Sequence, residues 1–106
     1  MQKIEEIALS KLIVDENYCR SVLPFLKDEY FDTISHQVLF NEINDYVTEY
    51  NAIPESTALK IEVEKRKDLS ADVIKDIEQF LDTKIDDTQY NDDWLMDTTE
   101  KWCKER

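Results

Sequence analysis

Apolar residues return at steps of three and four along nearly the whole chain, the period of one helix face and not of a strand. Ile4, Ile7, Ala8, Leu12 and Ile13 predict a first amphipathic helix over residues 3–14. Asp15 follows as an N-cap, because its carboxylate can accept from the amides of the next turn. A short helix then turns Tyr18, Cys19, Val22 and Leu23 inward. It closes at Pro24, which has no amide proton and clashes with the preceding turn. Phe25, Leu26, Tyr30 and Phe31 form an aromatic-rich connection that is expected to bury itself.

The strongest periodic segment runs from 34 to 50, with Thr33 or Ser35 as its cap. Val38, Leu39, Phe40, Ile43, Tyr46, Val47 and Tyr50 give it a broad stripe, and it reads as the central helix. Pro54 holds Ile53 extended and prevents continuation. Glu55 or Ser56 opens the next helix, with Leu59, Ile61 and Val63 inward. Ser70 caps another, in which Val73, Ile74, Ile77, Phe80, Leu81 and Ile85 recur at helical steps. Residues 83–91 are polar and acidic, a surface connection. The last segment, 92–106, carries Trp94, Leu95, Thr98 and Trp102. The pattern therefore predicts one all-α domain of about six helices over residues 1–106. It halts at Arg106 without Gly, Asn or Pro, as expected of a chain cut from something longer or of an ordinary frayed end.

Composition sharpens this picture. Glycine is absent from all 106 residues. Phosphate-cradling loops need glycine for close backbone approach, EF-hands need it for a sharp turn, and type I′ hairpins lean on it. Hence no self-contained nucleotide site is expected. The net charge is −12, and residues 68–100 carry 11 acids against two lysines. Such a field repels a nucleic-acid backbone. The basic cluster Lys65-Arg66-Lys67 lacks interleaved aromatics and reads as a solvated helix end. Two cysteines far apart make no disulfide framework, and neither a signal peptide nor a membrane-length apolar run is present. A reduced, intracellular setting is the expectation.

Candidate chemistry is sparse. His36 is the single histidine; Ser35, Asp32 and Cys19 are conceivable dyad partners, but packing or capping at a helix start is the simpler role. Two cysteines and one histidine do not supply a zinc site. Asp86/Asp87 and Asp92/Asp93 bracket Tyr90 and could attract a hard cation, but adjacent aspartates point apart and read as solvated surface. The four Phe, five Tyr and two Trp are more informative. Trp94 and Trp102 are expected to share a face of the final helix, two turns apart, as core or as interface.

The order of motifs resembles a known family. Leu9-Ser10-Lys11-Leu12-Ile13-Val14-Asp15-Glu16-Asn17 is similar to the opening of the N-terminal domain of DnaB-type replicative helicases. Glu29-Tyr30-Phe31, then Ser35-His36, Leu39-Phe40 and Ile43, resemble that family's aromatic turn and central helix. Tyr50-Asn51-Ala52-Ile53-Pro54 with Thr57-Ala58-Leu59 resembles its next helix start. Trp94-Leu95 and Thr99-Glu100-Lys101 match the branch found in phages related to T4. The likeness spans about residues 5–105, with the helical hairpin, the Walker motif and the ATPase domain absent from this sequence.

The resemblance implies a small orthogonal helical bundle, the N-terminal piece of a longer helicase. It implies a non-catalytic role, in oligomerisation as a dimer or hexamer collar and in docking a primase or helicase-loading protein. Neither cofactor, metal, membrane nor direct nucleic-acid contact is expected of this domain, and the setting is the cytoplasm of a phage-infected bacterium. The candidate interface is Tyr90, Trp94, Leu95, Thr98 and Trp102. The net charge also allows a free-standing acidic phage adaptor or DNA mimic, and the aspartate pairs allow, more distantly, a small metal-dependent enzyme.

Overall fold

Six α-helices and no strand form among the residues described by the computed structural model, 4–82 and 91–105. Helix α1 is Ile4–Leu12, α2 is Glu16–Val22 and α3 is Ile34–Tyr50; α4 is Ser56–Lys65, α5 is Ala71–Asp82 and α6 is Asp92–Glu105. Two short 3-10 turns, Leu23–Phe25 and Asp28–Tyr30, join α2 to α3. The all-α expectation from apolar spacing therefore holds, with helix ends within a residue or two of those read from the pattern.

Local chemistry sets most boundaries. The Asp15 carboxylate accepts from the Tyr18 amide at 3.0 Å and caps α2. Pro24 sits in the first 3-10 turn, where its missing amide costs least. At the end of α3, Asn51 takes the left-handed conformation (φ 53°, ψ 38°) and its amide donates to the Val47 carbonyl at 2.8 Å. Asparagine does what glycine commonly does at this position, in a chain that has none. The Arg20 guanidinium donates to both the side-chain and main-chain oxygens of Asn51, at 3.1 and 2.9 Å, and so ties α2 to that cap. Ser70 caps α5 through the Val73 amide.

Helix α3 packs on α1, α4, α5 and the second 3-10 turn, while α6 packs on α1 and α2. The core joins Leu9 and Leu12 of α1 to Leu39, Phe40 and Ile43 of α3, with Leu59, Val63, Ile77 and Leu95 from the later helices. The pattern made α3 the central helix, but α1 is the more enclosed: every residue from Ile7 to Leu12 is buried. Small residues at Ala8 and Ser10 let neighbours approach on sides that a simple amphipathic reading assigns to water. Lys11 is buried too, with its ammonium 3.4 Å from Asp15 and 3.7 Å from Asp92. It thereby joins the end of α1 to the start of α6.

Several positions depart from their expected side. Tyr50 and Ile61 are exposed, and Phe25 leaves the otherwise buried aromatic connection with 69% of its surface in solvent. The basic cluster is not uniformly solvated. Arg66 is half-buried and donates to Glu42 on α3 at 2.9 Å and to Asp68 at 2.6 Å. The hydrogen bonds it donates to Asp68 and Glu42 hold its guanidinium firmly charged, and Arg66 in turn holds the Asp68 carboxyl below the usual range. Lys60 pairs with Asp82, joining α4 to α5. Ile85 falls outside the described residues.

Candidate partner-docking groove

Helix α6 presents two faces with different fates. Leu95, Thr99 and Trp102 face inward and are buried. Steps of four and three keep these residues within about 60° of one another on a helix turning 100° per residue. Trp94 lies about 80° from Trp102 by the same count. The two tryptophans therefore do not share a fate: Trp94 is 48% exposed and Trp102 is 8% exposed. Thr98, which the sequence marked, is half-buried, and the fully inward threonine is its neighbour Thr99. Tyr90, like Asp86 and Asp87, lies outside the described residues. Asn91 starts the helix by accepting from the Trp94 amide at 3.1 Å, a cap the polarity of the segment concealed.

Trp102 rests edge-on against Phe31 (centroids 5.2 Å apart) and Tyr30 (6.2 Å), and Phe31 stacks on Phe40. These edge-to-face contacts, favoured by the ring quadrupoles, fix α6 to the aromatic connection. On the adjoining side the Thr99 hydroxyl donates to the Leu95 carbonyl at 2.8 Å, and the Tyr18 hydroxyl lies 2.6 Å from Thr99 Oγ1. A threonine hydroxyl has one proton, so Tyr18 is the donor to Thr99. Burial pushes the Tyr18 phenol up to about 12. This buried pair was invisible in the sequence, since its partners are 81 residues apart.

Above this floor lies a groove of about 340 Å³ between α2, the 3-10 turns and α6. Val22, Phe25, Tyr30, Met96 and Cys103 give it a mainly apolar lining, with Glu100 and Lys104 at its edge. Phe25 stands out because Pro24 ends α2 and projects the next side chain from a tight turn. Burial raises the Cys103 thiol, so it stays protonated near neutral pH and acts as an apolar wall. Ser21 and Met96 also line a second hollow of about 180 Å³, which continues the groove toward Asp15, Asn17 and Asp92. One trough thus runs beside α6, apolar at one end and acidic at the other.

A separate hollow of about 360 Å³ lies between α1, α3 and α5, lined by Glu6, Ser35, His36, Asp76 and Phe80 among others. Here Ser35 Oγ donates to Asp76 at 3.2 Å. His36 sits edge-on to Phe80, and its buried Nδ1 makes no hydrogen bond, 3.9 Å from the Glu5 carboxylate. No hydrogen bond joins Ser35 to His36 among the described residues, and Cys19 is buried in the core. Ser35 is thus engaged by Asp76 and not by His36, and Cys19 lies in the core. Among the described residues no cluster of three metal-ligating side chains forms, and no helix is long and apolar enough to cross a membrane.

No family model and no solved structure matches this chain. It is similar to the DnaB-like replicative helicase of Enterobacteria phage T4, with 31% identity over 101 residues. That match takes in 95% of this chain but spans only 21% of the helicase's length.

Proposed function

We propose that residues 1–106 form a non-catalytic assembly and partner-docking domain related to the N-terminal region of a hexameric DnaB-type helicase, with the ATP-driven motor elsewhere. The similarity to the phage T4 helicase over 95% of the chain carries this reading. Two further features support it. The sequence has no glycine from which to build a phosphate-binding loop, and the described residues form helices alone. The acidic surface suits a module that stays off the DNA backbone while it holds proteins near the fork. Trp94 and Thr98 are the accessible members of the interface expected from the sequence; Leu95 and Trp102 would support it from below.

The test is sedimentation equilibrium of the chain alone and mixed with a purified primase from a T4-related phage. Self-association or a primase complex with a Kd of about 1–100 μM is expected, a range suited to a transient assembly of this size. A chain that stays monomeric and ignores primase and helicase loader alike overturns the reading. Salt-sensitive capture of a basic DNA-binding protein in their place would favour the acidic adaptor.

A further inference from the structure

We infer that the trough between α2 and α6 is the seat of a cationic amphipathic helix belonging to a different protein, anchored by a bulky apolar side chain beside Phe25. This rests on reading the chain as a docking module and specifies which face docks and what chemistry it takes.

Shape gives the first reason. From Asp92 to Lys104 the trough follows α6 for about 18 Å at 1.5 Å per residue, roughly three turns of a helix lying alongside. Its walls are themselves helices, the arrangement in which an apolar helix face commonly beds. At the apolar end, Phe25 is 69% exposed at the edge of a 340 Å³ groove that Met96, Val22 and Cys103 also line. A single exposed aromatic needs no explanation, but one at the lip of an apolar groove marks a contact surface.

Charge selects the occupant. Asp93, Asp97, Glu100 and Lys104 recur at steps of four, three and four and so share one ridge of α6, of which Glu100 and Lys104 line the trough. Lys104 pairs with Glu100, whereas Asp93 and Asp97 make no ion pair among the described residues. At the far end Asp15 and Asp92 share the single ammonium of Lys11. The carboxylates of Asp15, Asp92 and Glu100 therefore line the trough against the one ammonium of Lys104, with Asp93 and Asp97 beside them on α6, which favours a partner with lysines or arginines flanking its apolar stripe. A second copy carries the same net −12 and is disfavoured as the occupant.

The probe is a fluorescein-labelled helical peptide with leucine and phenylalanine on one face and flanking lysines, titrated against the full chain by anisotropy. A scrambled peptide of equal charge serves as the control. The amphipathic peptide is expected to bind and to shift the amide resonances of Phe25, Tyr30, Met96 and Cys103. Phe25→Ser should weaken it about tenfold, as loss of an anchor does. The double change Asp93→Asn/Asp97→Asn should weaken it about threefold to tenfold and flatten its salt dependence. Asp45→Asn/Glu49→Asn, exposed on α3, should leave it unchanged. Equal affinity for the scrambled peptide, shifts spread over other acidic faces, or indifference to Phe25→Ser would overturn the assignment. So would loss of self-association in Phe25→Ser, which would make the occupant a second copy. Primase binding that survives Phe25→Ser sinks this groove while leaving the proposed function standing. Peptide binding in the groove by a chain that neither self-associates nor binds primase does the reverse.

Discussion

The two larger hollows described here are nearly equal in volume, about 340 Å³ beside α6 and about 360 Å³ beside His36, yet they are built for different ends. In the hollow beside His36, Ser35 donates to Asp76, while His36 packs on Phe80 and faces Glu5 with its buried Nδ1 outside hydrogen-bond distance. These contacts join α3 to α5 and α1, so changes there should register as stability. The groove beside α6 has its polar contacts underneath, in the Tyr18–Thr99–Leu95 chain, and leaves an apolar lip toward solvent. Changes at the lip should register as binding. Volume does not separate the two; what the lining groups are bonded to does.

The largest expected effect removes the floor of the groove. Trp102→Ala deletes the ring that Phe31 and Tyr30 both meet edge-on and should cost about 3–5 kcal/mol of unfolding free energy. Trp94→Ala, on the exposed side of the same helix, should cost less than about 1 kcal/mol. Urea unfolding followed by circular dichroism measures both. Equal losses would mean that α6 sits in another rotation and that the groove is not as described.

The next effect depends on pH. Tyr18 ionises near 12 in the folded chain and near 10.0 when unfolded, so the unfolded state gives up its proton first. The stability this group contributes is complete below pH 10 and drains away as pH rises toward about 12, a loss of about 2 kcal/mol at the upper end. Tyr18→Phe should remove that part of the alkaline decline and cost about 1 kcal/mol near neutrality. Thermal midpoints of both proteins across this window give the comparison. Parallel curves would show that the Tyr18 hydroxyl is not buried against Thr99.

Helical spacing and capping chemistry carried the fold: Asp15, Ser70 and Pro24 stop or start helices by what their own atoms can and cannot bond. Periodicity failed where more than one face is covered. The burial of α1 nearly all round, Lys11 included, comes from three neighbouring helices that no local window contains. It failed again on α6, where Trp94 and Thr98 drew attention by residue type while Thr99 held the buried hydrogen bond. Rotation about a helix is set by what it packs on, and Tyr18 and Phe31 reach α6 from far along the chain. The groove was the least legible feature. Phe25 sits in an apolar run that looks uniformly buried, and only the turn geometry at Pro24 turns it outward.

The smallest expected effects test the contrast between the hollows most directly. Ser35→Ala removes the donor to Asp76 and should cost about 1 kcal/mol, the net worth of an ordinary side-chain hydrogen bond. Phe25→Ser, at a side chain already mostly in water, should move stability by no more than about 0.5 kcal/mol. Unfolding curves of both variants, run beside the peptide titration, separate the two kinds of surface. If Phe25→Ser destabilises the chain as much as Ser35→Ala does, Phe25 belongs to the core, and the groove loses the lip on which its binding role depends.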